Sequence, residues 1–205
     1  MLSKLHILLS LLFGVLFISP PFNAFARSYR LTGKIKGINE GWVFVMHRQT
    51  GKIDSGRISK GTFLVSGNVT DPEFCNFGLL ANGVKDYYFG FFLEQGNLTL
   101  NAQKDSLNDR SIFFSGSKVE EEFQHFQKQV NRIDQMHYTN VQAAAKLEEL
   151  ARGHSLKHPN SYVSAFALIS YENVLPELSA LYNGLTSKIQ QSYYGELIHN
   201  KIMHH

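Results

Sequence analysis

Short apolar segments separated by turn-forming residues recur along the first half of the chain. They have strand length and lie at residues 29–35, 42–47, 53–58, 63–69, 74–80, 87–94 and 98–101. Glycine, asparagine, aspartate or proline follows most of them, and these residues end strands and form turns. Seven or eight short strands at this spacing predict an antiparallel β-sandwich over residues 28–115.

The segment 87–94 is apolar at both its odd and its even positions. Such a strand is typical of the centre of a sheet that is covered on both faces. Most aromatic residues in such a strand pack in a core, and this is the favoured interpretation. The alternative is that Tyr87 and Tyr88, with Trp42 on an earlier strand, form an aromatic platform for a small ligand.

The apolar period changes at Ser115-Gly116-Ser117 from that of a strand to that of a helix. Beyond this point apolar residues follow one another at intervals of three and four, which places them on one face of a helix. They are Val119, Phe123, Phe126, Val130 and Ile133. Ser117 and Glu120 have the spacing of a capping box, which marks the start of this helix.

Four further helix starts follow in the second half. Thr139 opens a helix that Gly153 is expected to end, and later starts lie at Pro159, Pro176 and Ser187. The chain is therefore predicted to be an α+β protein: a β-sandwich at 28–115, followed by a region of about five helices at 117–203.

Residues 1–26 have the three parts of a cleavable export signal. Lys4 stands in the polar start, residues 7–18 form the apolar stretch, and Ala24-Phe25-Ala26 is a small-x-small cleavage site. The apolar stretch is shorter than the roughly 20 residues that a membrane-spanning helix needs. We therefore expect a periplasmic protein with no membrane span after cleavage.

The overall composition narrows the class of protein further. The chain of 205 residues is 43% hydrophobic and 18% charged, which excludes a disordered chain and a coiled coil. Its net charge of +3 offers no electrostatic reason to expect a nucleic-acid partner. The single cysteine, Cys75, has no intramolecular partner, and its apolar neighbours indicate a buried, inert thiol.

Candidate metal ligands are few and weak. His154 and His158 are four residues apart, but Pro159 biases His158 out of helical geometry, and no zinc-protease motif is present. His204 and His205 are adjacent and could hold a metal only loosely. No nucleophile elbow, phosphate loop, dinucleotide fingerprint or Cys-x-x-Cys occurs, so we assign no catalytic, cofactor-binding or metal-binding residue and predict a protein that is not an enzyme.

An ordered set of segments nevertheless resembles a known family. These segments are residues 29–37, 47–55, 92–98, 115–118, 121–123 and 158–165. Together they resemble the N-terminal domain of unknown function that precedes a thioredoxin-like domain in envelope thiol–disulfide oxidoreductases of Gram-negative bacteria. The resemblance spans most of residues 28–200. It implies a sandwich module with a helical connector, with the redox chemistry in a domain whose Cys-x-x-Cys this sequence lacks.

Three hypotheses follow, in order of preference. The first is a non-catalytic envelope module that binds a thioredoxin-like or other envelope protein through its helices. The second is a truncated thiol–disulfide oxidoreductase whose helices would leave apolar surface uncovered. The third is a small-ligand binder that uses the aromatic strands, with polar groups converging beside Tyr87, Tyr88 or Trp42.

Overall fold

The computed structural model describes residues 28–107, 112–173 and 175–204, so the predicted export signal lies outside the described residues. Its first half is one eight-stranded sheet. The strands are β1 (Ser28–Lys36), β2 (Glu40–His47), β3 (Ile53–Ser59), β4 (Thr62–Asn68), β5 (Glu73–Ala81), β6 (Val84–Leu93), β7 (Gly96–Gln103) and β8 (Phe113–Ser115).

The strands are hydrogen-bonded in the order β6-β5-β2-β3-β4-β1-β7-β8. Every pair is antiparallel except β1 and β7, which run parallel. The sheet curls so that its two edges approach each other. Strands β6 and β8 lie at opposite edges, yet the rings of Phe91 on β6 and Phe114 on β8 stack with centroids 4.9 Å apart. The predicted α+β class is confirmed, with one curled sheet in place of two separate layers.

The strand alternation predicted from the sequence appears as alternation of burial. On β1, for example, Tyr29, Leu31 and Ile35 are fully buried, while Arg30 and Lys34 are exposed. The inner face of the curled sheet forms one apolar core. Its largest members include Tyr29, Leu31, Ile58, Phe77, Phe91, Leu98 and Leu100.

Six helices follow the sheet. They are α1 (Lys118–Gln135), α2 (Asn140–Lys157), α3 (Tyr162–Tyr171), α4 (Leu175–Gly184), α5 (Ser187–Gln190) and α6 (Tyr193–Met203). Thr139 and Gln142 form the complete capping box that was predicted. At α1 only half of the predicted box forms: the Ser117 side chain accepts a hydrogen bond from the Glu120 amide, whereas the Glu120 carboxyl group accepts one from the Phe92 amide.

Three helix boundaries differ from the prediction. Helix α3 begins at Tyr162 rather than at Pro159, because the Ser161 side chain caps it by accepting a hydrogen bond from the Val163 amide. Helix α2 continues through Gly153 to Lys157, because Ala151, His154 and Ser155 are buried on either side of the glycine. Their burial outweighs the roughly 1 kcal/mol that a glycine costs inside a helix. The helix predicted from Ser187 is two helices, because Ser192 caps a new one by accepting a hydrogen bond from the Gly195 amide.

Strand β6 joins the sheet to the helices. This strand lies at one edge of the sheet, so the prediction that segment 87–94 is central in the sheet is wrong. Both of its faces are nevertheless covered. Phe91 points into the sheet core, whereas Phe92 belongs to the core of the helical half. The ring of Phe92 lies within 5.6 Å of Phe123 on α1 and Phe166 on α3, centroid to centroid.

Among residues 28–107, 112–173 and 175–204, no helix combines the length and the apolar character that crossing a membrane requires.

Candidate functional site

A cavity of about 390 Å³ lies where strands β5, β6 and β8 meet helix α1. Its walls are mainly aromatic, with polar groups contributed by the first turns of the helix. The lining includes Phe74, Tyr88, Phe89, Phe114, Phe123 and Glu120. An apolar cavity with a few polar groups is the usual form of a small-molecule site.

Glu120 supplies a carboxyl group to this cavity. Its side chain is 2% exposed and accepts hydrogen bonds from the Phe92 amide at 2.6 Å and from Gln124 Nε2 at 3.0 Å. Burial raises the pKa of Glu120 to about 8, against the opposing effect of these two hydrogen bonds. The carboxyl group is therefore mostly protonated at neutral pH and can donate as well as accept a hydrogen bond.

The aromatic residues singled out from the sequence have different positions. Tyr88 lines the cavity, while Trp42 is 44% exposed on β2 and lies outside its lining. The Tyr87 side chain is outside the described residues. The structure thus brings polar groups beside one of the three aromatic residues that the ligand-binding hypothesis named.

A second, buried group of polar residues lies inside one end of the sheet. His47 on β2 and Cys75 on β5 are directly opposite each other in the strand register. Glu73 precedes Cys75 by two residues, so its side chain lies on the same face of the sheet. All three side chains are buried, and each offers one donor atom within 4.8 Å of the other two.

Asp54 on β3 completes this group from the far side of the imidazole. Its Oδ2 lies 3.0 Å from His47 Nε2 and accepts a 2.9 Å hydrogen bond from the Tyr29 hydroxyl. Lys52 Nζ lies 2.9 Å from Asp54 Oδ1. The Asp54 carboxylate fits here because residue 67 is a glycine. A side chain at that position would place its Cβ 2.0 Å from Asp54 Oδ2.

The two carboxylates govern the protonation of His47. Burial lowers the pKa of the imidazole, but the hydrogen bonds and charges of Glu73 and Asp54 outweigh it, so the pKa of His47 is raised. Burial likewise opposes ionisation of Asp54, yet hydrogen bonds from Lys52, Tyr29 and His47 hold its pKa below the ordinary value. His47 Nδ1 contacts Glu73 Oε1 as an ion pair.

The burial predicted for Cys75 is confirmed, since its side chain is inaccessible to solvent. Burial raises the pKa of the thiol, and the negative charges of Glu73 and Asp54 raise it further. The sequence analysis missed its neighbours, because His47 and Cys75 are 28 residues apart and no motif has that spacing. The strand register that pairs β2 with β5 was the missing information.

The histidines weighed as metal ligands occupy the C-terminal end of α2. His154 is buried within the helix, with Nε2 3.0 Å from Glu122 Oε1 on α1. His158 is the C-cap, with the non-helical backbone that Pro159 was expected to impose. The two rings lie 4.7 Å apart, centroid to centroid. His204 follows α6, and His205 lies outside the described residues.

The helical half carries most of the large apolar side chains that are exposed in the described part of the chain. Its exposed members are Met136, Val141, Leu156, Tyr193, Leu197 and Met203, against Trp42, Ile53 and Leu64 in the sheet. Val141 is 80% exposed and Leu156 is 71% exposed, both on helix α2. Val141 stands in the first turn of this helix and Leu156 in its last, and exposed apolar residues are a common feature of protein-binding surfaces.

No curated protein matches the chain. A family model described as a domain of unknown function, DUF4369, matches residues 29–123, from the first strand of the sheet into helix α1. The first half of the chain is therefore similar to this family of unknown-function domains.

Proposed function

We propose that this chain is a non-catalytic module of the Gram-negative envelope that is exported through its N-terminal signal and acts by binding a protein. Its partner is a thioredoxin-like envelope protein. The observation that carries this proposal is the exposure of apolar side chains on helix α2, where Val141 and Leu156 stand in solvent. The sequence resemblance to a connector before a thioredoxin-like domain supports the choice of partner.

The helical half is suited to this role by its construction. The first three turns of α2 are largely exposed and include Val141, Ala144 and Ala145, while the buried residues Ala151 and His154 lie near its C-terminal end. The first turns of the helix thus present small and apolar side chains to solvent, and Leu156 is exposed beside the buried residues near its C-terminal end. Small side chains let a partner surface approach the helix backbone closely.

The test is a binding measurement with a purified thioredoxin-like envelope protein of the source bacterium. We expect a micromolar or tighter dissociation constant by calorimetry, and at least a tenfold loss for the Val141→Glu/Leu156→Glu variant. Leu64→Glu, at an apolar position on the sheet that is 40% exposed, is the control and should bind as the native chain does. Absence of binding, or equal losses in both variants, would contradict the proposal.

Export has a separate test. The complete chain is produced with a C-terminal tag in a Gram-negative host, and the cell is fractionated. We expect the protein in the periplasmic fraction with Arg27 as its first residue, because cleavage follows Ala26. Replacing Ala24 and Ala26 by bulky residues should leave an uncleaved precursor. A cytoplasmic protein that retains Met1 would refute the export proposal.

A second candidate function is the binding of a small apolar molecule, which the cavity beside Tyr88 and Glu120 favours. The ligand would be an apolar or aromatic compound with a hydrogen-bond acceptor for the protonated carboxyl group. Anilinonaphthalene sulfonate is a suitable fluorescent probe for the apolar walls. Its emission should fall in a Gln127→Trp variant, whose ring would fill the mouth of the cavity, and stay unchanged in Leu64→Glu.

A further inference from the structure

Three side chains at one end of the sheet offer the donor set of a metal site. His47 Nδ1, a Glu73 carboxylate oxygen and Cys75 Sγ all lie within 4.8 Å of one another. The Nδ1–Sγ distance is 4.0 Å. These atoms are held by adjacent strands rather than by loops, because His47 and Cys75 are a cross-strand pair and Glu73 shares the strand of Cys75.

The other side of the imidazole is already arranged as it is in metal-bound histidines. Such a histidine usually donates its second ring N–H to a carboxylate, which fixes the tautomer and the ring orientation. Here His47 Nε2 lies 3.0 Å from Asp54, whose carboxylate is held in turn by Tyr29 and Lys52. This arrangement turns Nδ1 towards Glu73 and Cys75.

We propose that His47, Glu73 and Cys75 bind a zinc ion at this end of the sheet. Imidazole, carboxylate and thiolate are all zinc ligands, and the oxygen donor disfavours the softer Cu(I). A tetrahedral ion would need about 3.3 Å between Nδ1 and the carboxylate oxygen, so the flexible Glu73 side chain would have to withdraw slightly from the imidazole. This inference is independent of the partner proposed for the helices.

A route to the site lies next to it. A cleft of about 200 Å³, between the sheet loops and helices α5 and α6, has His47 and Glu73 in its lining. Asn68, Thr70 and Tyr162 are among its other walls. This cleft is the side from which the proposed ion would approach, and a water molecule would occupy the fourth position that three protein ligands leave open.

Cobalt(II) is the probe that tests this proposal, because its spectrum reports the ligands directly. The mature chain is stripped with a chelator, kept anaerobic with a non-thiol reductant, and titrated with Co²⁺ alone. We expect one equivalent to give a near-ultraviolet thiolate-to-cobalt band and the intense visible bands of a tetrahedral site, both bleached by Zn²⁺. Cys75 is the single cysteine, so a thiolate band in the native chain identifies its ligand without any variant.

Variants test the two ligands that strand β5 supplies and exclude His158 at the end of α2. Glu73→Gln should weaken cobalt binding by at least tenfold, and Cys75→Ala should abolish the thiolate band. His158→Ala, which alters the histidine pair at the end of α2, is the control and should leave the spectrum unchanged. Zinc at 100 times its dissociation constant should raise the melting temperature of the native chain by about 5 to 10 °C.

Two results would overturn the proposal. One is a folded native chain that shows no thiolate band with stoichiometric cobalt. The other is cobalt bound without that band, which would place the ion on surface histidines. In either case the buried group would be an ion-pair network in which an imidazolium is held between Glu73 and Asp54.

Discussion

The backbone amide of Phe92 donates a 2.6 Å hydrogen bond to the carboxyl group of Glu120, and this contact joins strand β6 to the first turn of helix α1. Phe92 on β6 also packs in the helical core, so one residue supplies both an apolar and a polar contact at this junction. Because the junction excludes water, the carboxyl group that accepts this bond has its pKa raised to about 8.

We predict that the stability of the chain falls as pH rises from about 4.5 to 8. In that range the folded chain keeps the Glu120 proton while the unfolded chain loses it, so the unfolded state is increasingly favoured. The loss attributable to this group is on the order of 4 kcal/mol between these limits. Urea unfolding at a series of pH values measures it.

Glu120→Gln is the matched variant for this measurement. Its amide oxygen can accept from the Phe92 amide, and its NH₂ can donate to a reoriented Gln124 side chain, so both hydrogen bonds survive without a titrating proton. The stability difference, variant minus native, should therefore grow as pH rises from about 4.5 to 8 and level off above that. A difference that does not change with pH would show that Glu120 titrates as it does in the unfolded chain.

Phe92→Ala should destabilise the chain by about 3 to 5 kcal/mol, as truncation of a buried aromatic ring usually does. The ring is fully buried and packs between the sheet and helices α1 and α3. The two cores meet at this ring. In the Phe92→Ala variant we therefore also expect the sheet and the helices to unfold in separate transitions. Far-ultraviolet and near-ultraviolet circular dichroism, followed through the same urea titration, would show the separation.

The control for Phe92→Ala is Leu64→Ala. Leu64 is 40% exposed on β4, so its truncation should cost less than about 0.5 kcal/mol. Coincident unfolding curves for the Phe92→Ala protein would mean that other contacts suffice to couple the two halves.

The sequence predicts the elements of this fold better than their arrangement. Alternation in segments such as Tyr29–Ile35 shows which positions are buried, and this was enough for the strands. It carries no information about neighbours, so the parallel pairing of β1 with β7 had no signal. At Gly153 the local signal was present but was outweighed. The preference of glycine for a helix end predicted a boundary there, whereas the burial of the residues around it keeps the helix intact.

The candidate sites depend on the same missing information. Burial of Cys75 follows from its apolar neighbours, but its contact with His47 depends on which strands pair. Glu120 was recognised only as part of a capping box, where a glutamate is normally exposed to water. The structure instead turns its side chain to the Phe92 amide, a contact between residues 28 apart in the chain.

Tyr29→Phe should cost about 1 kcal/mol at neutral pH, the usual net value of one hydrogen bond. The hydroxyl group donates to Asp54 Oδ2 at 2.9 Å, and the variant loses only this bond, because Asp54 keeps Lys52 and His47. The bond also helps to lower the pKa of Asp54. The difference in unfolding free energy between the native chain and Tyr29→Phe should therefore shrink as pH falls through that pKa.

Chemical unfolding of both proteins between pH 3 and 7 checks this expectation. Tyr193→Phe, on the exposed side of helix α6, is the control and should match the native chain throughout. A constant difference at every pH would indicate that the Tyr29 hydroxyl acts independently of the Asp54 charge.

The ion pair between Arg152 on α2 and Glu172 at the end of α3 should be the most costly polar contact of the helical half to break. Glu172 is fully buried, and Arg152 Nε donates to its Oε2 at 2.5 Å while Nη2 donates to Oε1 at 3.3 Å. Arg152→Met leaves the buried carboxylate without its guanidinium, and we expect a loss of about 3 kcal/mol.

Two further variants distinguish the unpaired charge of Glu172 from lost packing of the Arg152 side chain as the cause of this destabilisation. Lys146→Met breaks the exposed pair with Glu149 on the same helix, and we expect no measurable change, because solvent screens that pair. Adding Glu172→Gln to Arg152→Met removes the buried charge and should restore part of the lost stability. If the double variant is no more stable than Arg152→Met, the arginine acts through the packing of its aliphatic stem rather than through its charge.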